Sequence, residues 1–144
     1  MAPDFSLTIR IYYEDTDAGG IVFYANYLKF FERARTEWLR ATGISQQAMA
    51  QSEGVAFVVK NSGLNYHAPA RLDDELKITV VVERLGRASV QFFQQAWRIG
   101  DNPELLATGH IKVGCVDLAT FRPAPMPPAA VTKIRRYQLA TTPP

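Results

Sequence analysis

The sequence predicts an α+β domain in which one long helix lies across an antiparallel sheet of five strands. Three observations support this fold class. Residues 5–13 alternate between apolar and polar side chains, which indicates a half-buried strand. From Asn26 onward the apolar residues recur at helical spacing, and Gly43 supplies a stop. After Gly54 the chain has the pattern of strands divided by turns, as far as about Val116.

The elements are expected in the order strand, long helix, short helix and four strands. Asn26 is a good N-cap for the long helix, and the short helix is expected at about residues 45–51. The four strands are expected at residues 55–66, 72–85, 89–99 and 105–116. A terminal helical turn fits residues 128–139. We expect residues 1–144 to form one domain, with about residues 129–144 as a C-terminal tail.

Composition narrows the function classes. With 144 residues, 47% of them hydrophobic, the chain is long enough for one domain with a substantial core. The net charge is +2 and the basic residues are scattered, so nucleic acid is not the expected partner. No leader pattern and no apolar run of about 20 residues appears, which predicts a cytoplasmic protein that does not insert into membranes.

Few residues suit thiol or metal chemistry. The single cysteine, Cys115, excludes an intramolecular disulfide and is interpreted as a small buried hydrophobic residue rather than a catalytic thiol. His67 and His110 are the only histidines, and no cysteine or acid stands at metal-ligand spacing from them. The sequence therefore predicts neither a metal site nor another cofactor.

The segment between the first strand and the long helix carries the clearest chemical signal. It reads Tyr-Glu-Asp-Thr-Asp-Ala-Gly-Gly-Ile-Val-Phe-Tyr-Ala-Asn over residues 13–26. An acid there would lie near a helix N-terminus, whose free N–H groups favour negative charge. Gly19 and Gly20 allow a close approach of the backbone to a ligand, or a positive φ. Such an arrangement suits acyl transfer, although Asp15 is equally suited to accept local N–H bonds in a turn.

These residues, and nearly the whole chain, resemble the hotdog-fold acyl-CoA thioesterases. The resemblance is nearest to the 4-hydroxybenzoyl-CoA thioesterase branch and to the small bacterial thioesterases associated with the Tol–Pal envelope system. It implies a hotdog fold, with a five-stranded antiparallel sheet wrapped around one long central helix. It also implies a homo-oligomer, either a dimer or a homotetramer, that hydrolyses an acyl-CoA thioester to an acid and a thiol. An acyl-carrier-protein thioester is the alternative substrate.

The resemblance also assigns roles to residues. The second acid of the family's Asp-x-Asp pair is the catalytic carboxylate and corresponds to Asp17, acting as general base or as nucleophile. The backbone N–H of Tyr24 is expected against the thioester oxygen. Tyrosine at this position agrees with the 4-hydroxybenzoyl-CoA branch, whereas the Tol–Pal members commonly have histidine. Its side chain has packing as an equal alternative.

Further substrate-binding residues are expected on the same basis. They are Tyr13, Gly20, Ile21, Val59, Asn61, Arg84, Arg87 and Ser89. Tyr13 is expected either to bond Asp17 or to cap the core. Val59 and Asn61 are expected to line the acyl or pantetheine channel of a neighbouring subunit. The last three surround a turn that either grips CoA phosphates or is a solvated hairpin.

Two other functions remain open at this stage. A hotdog hydratase or dehydratase would need a histidine paired with an acid, and the loop offers no histidine, which counts against it. A non-catalytic protein that binds acyl thioesters, or serves as a scaffold, is compatible with the same residues, because a fold and a loop do not prove turnover.

Overall fold

Five strands and three α-helices make up residues 5–141, the part of the chain that the computed structural model describes. In chain order they are β1 (Phe5–Arg10), α1 (Asn26–Thr42), α2 (Gln46–Glu53), β2 (Val55–Tyr66), β3 (Glu75–Leu85), β4 (Ser89–Arg98), β5 (Glu104–Asp117) and α3 (Pro128–Thr141). A short 3-10 turn at Tyr13–Asp15 lies between β1 and α1. Among the helices of this range, none is both long enough and apolar enough to cross a bilayer.

The strands form one antiparallel sheet in the order β1-β3-β4-β5-β2, so the predicted five-stranded antiparallel sheet is confirmed. β2 and β1 are its edges, and β2 spans the 12 residues expected for it. The end predicted for β1 is wrong, because the strand stops at Arg10 rather than Tyr13. There the chain turns, and the Tyr12 N–H donates to the Asp15 carboxylate at 2.9 Å.

α1 packs its apolar face against the sheet. The ring of Trp38 meets Phe92 of β4 edge-on, with 5.2 Å between the ring centroids. At Gly109 of β5, a Cβ atom would lie 2.9 Å from the ring of Phe31, so only glycine allows α1 to approach this closely. The predicted stop is confirmed, because Gly43 caps α1 with a φ of 92°.

The short helix expected after the long one is confirmed as α2, and α3 follows the last strand. α3 extends over 14 residues where a tail with a helical turn was expected. Pro128 is its first residue, a position where the missing N–H of proline costs nothing. Ile134 is fully buried and Lys133 donates to the carbonyl of Gly43 at 3.1 Å, so α3 is fixed beside the end of α1.

A buried polar contact links α1 to the middle of the sheet. The side-chain amide of Gln94 on β4 donates to the carbonyls of Phe31, at 3.1 Å, and Thr79, at 3.3 Å. Its oxygen accepts a hydrogen bond of 2.9 Å from the guanidinium of Arg35 on α1. Gln94 is completely buried and Arg35 is 8% exposed. The amide is thereby satisfied, as buried polar groups require.

Candidate active site

Residues 16–22 form a tight loop between the 3-10 turn and α1. Thr16 and Val22 face each other in an antiparallel bridge. The N–H of Asp17 donates to the carbonyl of Ile21 at 2.9 Å, and the N–H of Gly20 donates to the carbonyl of Asp17 at 3.0 Å. Gly20 has a φ of +79°, which a residue with a Cβ adopts only under strain. The glycine therefore sets the path of the loop.

Asp17 lies exposed at the start of this loop. Its Oδ1 accepts a hydrogen bond of 2.8 Å from the N–H of Gly19. Within residues 5–141, the structure gives its Oδ2 no hydrogen-bond partner. One carboxylate oxygen is thus held by the turn, and the other is available to a water molecule or to a substrate.

Asp15 has a different environment from Asp17. Its carboxylate accepts the N–H of Tyr12, and its carbonyl accepts both the N–H of Phe23, at 3.0 Å, and the side-chain amide of Asn26, at 2.8 Å. The geometry agrees with the interpretation of Asp15 as a turn acid. Asn26 is not the predicted N-cap, because Ala25 occupies that position without a side-chain cap. The asparagine instead ties the loop to the first turn of α1.

Tyr24 presents its backbone at the entrance to α1. Its carbonyl accepts hydrogen bonds from the Tyr66 hydroxyl, at 3.2 Å, and from the N–H of Tyr27, at 3.4 Å. Its own N–H has no acceptor among the residues that the structure describes. The side chain is 63% exposed and meets the Tyr66 ring edge-on, so packing within one chain accounts for little of it. The Tyr24 N–H is therefore free to donate to an oxygen atom of a ligand, two residues before α1 begins.

The segment of residues 69–74 packs behind the loop, and none of its residues was among the predicted site residues. The N–H of Val22 donates to the carbonyl of Ala70 at 2.8 Å, and Ile21 bridges Arg71. Arg98, at the end of β4, fixes the segment by donating to the Pro69 carbonyl and to the Asp74 and Glu104 carboxylates. A sequence signal did exist, because oppositely charged residues stand at the ends of neighbouring strands. The predicted site did not include Arg98, Asp74 or Glu104.

The predicted site residues near the loop have different outcomes. Gly20 and Ile21 belong to the loop itself, beside Asp17. Tyr13 is 80% exposed and makes no side-chain bond to Asp17, so both roles expected for it are corrected. The reason is local, because the 3-10 turn that ends β1 carries the ring away from the core.

The other predicted residues lie outside the loop, in β2 and at the β3–β4 turn. Val59 and Asn61 are exposed in the middle of β2, on either side of a bulge. Arg84, Arg87 and Ser89 surround the β3–β4 turn, which the Gly86 N–H closes onto the Ser89 carbonyl at 2.8 Å. β3 runs from the loop-holding segment to this turn. Its 11 residues separate the two by roughly 30 Å. A single chain therefore does not bring this group to the loop.

The contacts of the two histidines and the cysteine do not indicate a metal site or a catalytic thiol. Nδ1 of His110 lies 3.2 Å from the Glu83 carboxylate, and Nε2 of His67 lies 3.3 Å from the Thr108 hydroxyl; both histidines are exposed. Cys115 is buried as predicted, and burial raises the pKa of its thiol. Across residues 5–141, no three His, Cys, Asp or Glu side chains are grouped as a metal ion would require.

The fold matches that of a known enzyme structure. A 1,4-dihydroxy-2-naphthoyl-CoA thioesterase from Synechocystis superposes with a TM-score of 0.84 and 22% sequence identity. The match covers 92% of this chain and 96% of that one. An antiparallel sheet, a helix that follows an acidic loop, and this superposition together define the class of hotdog proteins, which confirms the predicted fold at that level.

The sequence comparisons define the family. The family described as the Thioesterase-like superfamily matches residues 12–134, and the chain belongs to it. The "Acyl-CoA thioesterase YbgC" of Haemophilus influenzae is 44% identical over 123 residues, which are 85% of this chain and 88% of that protein. The "Acyl-CoA thioester hydrolase YbgC" of Escherichia coli O6:H1 is 42% identical over 132 residues, 92% of this chain and 96% of that protein. The resemblance to the thioesterases is thereby confirmed.

Proposed function

We propose that this protein is an acyl-CoA thioesterase that uses Asp17 as its catalytic carboxylate. In the reaction, the oxygen of water bonds to the thioester carbonyl carbon and the C–S bond breaks. One proton of the water passes through the carboxylate to the departing sulfur, so the products are a carboxylic acid and CoA. The family and the names of the two YbgC relatives support the reaction.

The observation that carries the mechanism is the presence of two free groups in the short segment between the 3-10 turn and α1. Asp17 has a carboxylate oxygen without a partner, and Tyr24 has a free backbone N–H at the entrance to α1, both judged over residues 5–141. The positive end of the α1 dipole strengthens that donor. One oxyanion donor contributes about 3 kcal/mol to the transition state. Asp17 activates water or attacks the carbonyl itself, and both routes use the same free oxygen.

A second copy of the chain completes the site in this proposal, with α1 taken as the central helix of the hotdog fold. β2 is an edge strand that is exposed over residues 58–63, and such edges pair readily with another strand. Antiparallel pairing of two β2 edges about a midpoint near Asn61 would bring Val59 of one copy toward the Tyr24–Tyr66 end of the other. The distance from the loop to Arg84 and Arg87 also requires a second copy if these residues bind CoA phosphates.

The activity test is a panel of acyl-CoA thioesters with a reagent that detects free thiol. We expect thiol release, and we expect Asp17→Asn to lower kcat by at least about a hundredfold. Asp101→Asn removes an exposed acid from the β4–β5 turn and serves as the matched control, with unchanged activity. An Asp17→Asn enzyme with wild-type turnover would show the mechanism to be wrong. A change in absorbance at the enoyl bond of the substrate would instead identify a hydratase. Binding of the thioester without turnover would identify a scaffold.

The assembly test is light scattering at micromolar concentration, followed by assay of the separated species. We expect a dimer or a homotetramer. A fully active monomer would contradict the shared site. The acyl-carrier-protein thioester as the alternative substrate, and a cytoplasmic location, stay predictions.

A further inference from the structure

A cavity of about 170 Å³ lies between the second half of α1, the inner face of the sheet and α3. Its floor is apolar and buried, and consists of Trp38, Leu39, Val90, Phe92, Val113 and Ile134. Its mouth carries exposed residues, among them Glu32, Gln46 and Val59. None of the loop residues 13–24 contributes to it. Arg35 follows Tyr24 by eleven residues, most of them in α1, which corresponds to roughly 16 Å.

Arg35 gives this cavity an unusual charge. It is only 8% exposed, it lines the cavity, and it makes one hydrogen bond, to Gln94. No carboxylate within residues 5–141 forms an ion pair with it. In the same range no fully covered side-chain nitrogen lacks a partner, so the guanidinium nitrogens that Gln94 does not reach border open space. We take that space to be the cavity, because Arg35 lines it.

A buried guanidinium with only a neutral partner needs an anion. Burial lowers the pKa of Arg35, and Glu32 opposes this shift from the mouth of the cavity. An arginine nevertheless stays charged in proteins, and its planar fork matches a carboxylate in shape. The carboxylate of Glu32 is exposed, accepts a hydrogen bond from Thr36 at 3.2 Å and forms no ion pair with Arg35.

We propose that this cavity binds a small monocarboxylate, a ligand site separate from the catalytic loop of the same chain. The carboxylate pairs with the guanidinium of Arg35, and the apolar body fills the space between Trp38, Phe92 and Ile134. A dry apolar cavity of about 150 Å³ in another protein admits benzene. The ligand is therefore no larger than an aromatic ring or a short aliphatic chain with one acid group.

Trp38 supplies a direct reporter of binding. The chain has two tryptophans, so Trp97→Phe leaves the Trp38 indole as the only one. Sodium benzoate is titrated into this variant, with benzamide as an uncharged ligand of the same size. We expect benzoate to change the Trp38 emission with saturation, and to bind at least about tenfold more tightly than benzamide, because a charged partner replaces a neutral one.

Charge variants test the assignment without any measurement of activity. Arg35→Gln should remove the preference for benzoate, whereas Glu32→Gln should tighten benzoate binding severalfold by removing a like charge at the mouth. Arg33→Gln removes an exposed arginine from the same helix and should change nothing. Equal binding of benzoate and benzamide, or no saturable response to either, overturns the proposal. If Arg35→Gln fails to fold, the Glu32→Gln and benzamide results decide the question.

Discussion

Replacing Gly20 by alanine tests whether the path of the 16–22 loop controls catalysis. At Gly20 φ is +79°, and an added Cβ would meet no atom within 4 Å. The cost is therefore backbone strain alone, about 1–2 kcal/mol for an L-residue in the left-handed region. The loop can release this strain only by moving the turn that holds Asp17. A displacement near 1 Å at a reacting group lowers the rate by on the order of a hundredfold.

Gly54→Ala is the matched control, because Gly54 has a φ of +67° and an equally open Cβ direction, but it lies between α2 and β2. We expect both variants to melt about 3–6 °C below the wild type in a calorimeter. In a thioesterase assay, only Gly20→Ala should have a lower kcat/KM than the wild type. If the two variants have the same kcat/KM, within twofold, the loop path does not set the rate and our reasoning is refuted.

Three further predictions concern Tyr24, Arg98 and Cys115. Tyr24→Phe should keep most of kcat in the thiol-release assay, because the backbone N–H is unchanged; an inactive variant would make the phenol the working group. Arg98→Met should lower the free energy of unfolding in urea by about 2 kcal/mol, because two carboxylates and a carbonyl lose their donor. Arg10→Met, at an exposed ion pair, should lower it by less than about 1 kcal/mol. Equal losses in the two variants would show that Arg98 does not hold the 69–74 segment. Burial raises the pKa of the Cys115 thiol, so its contribution to stability is complete below the unfolded thiol's pKa of about 8.5 and is lost as pH rises through the higher folded pKa. The free energy of unfolding in urea should therefore fall between pH 7.5 and a pH above 9, and it should fall less in Cys115→Ala than in the wild type. An equal fall in both proteins would contradict the burial effect.

Periodicity along the chain predicted most of the fold. The alternation in β1 and the helical spacing after Asn26 reflect which side chains face the core. The turn signals after Gly54 predicted where the later strands begin and end. The end of β1 was missed because a local hydrogen bond to Asp15 outweighs the continuing alternation at Tyr13. The role of Asn26 was missed because its partner, the Asp15 carbonyl, lies eleven residues earlier in the chain.

The sequence could predict the candidate site only where its residues are close together in the chain. Gly20, Ile21 and Asp17 lie in one short loop, so a motif brings them together. The hold of Arg98 on the 69–74 segment joins the ends of different strands, and no periodic pattern reports it. The cavity around Arg35 is assembled from α1, α2, three strands and α3, and therefore exists only in the folded chain.

The position of α3 has a consequence for how the protein can change over time. Ile134 closes the floor of the cavity, while the acidic loop is held by residues 69–74 and Arg98 at the other end of the sheet. No described residue belongs to both groups. Substitutions in the C-terminal helix can therefore enlarge or shrink the space beside Arg35 without moving Asp17. The size of the ligand that we propose for the cavity, and the chemistry that we propose for Asp17, could therefore be selected independently within one small domain.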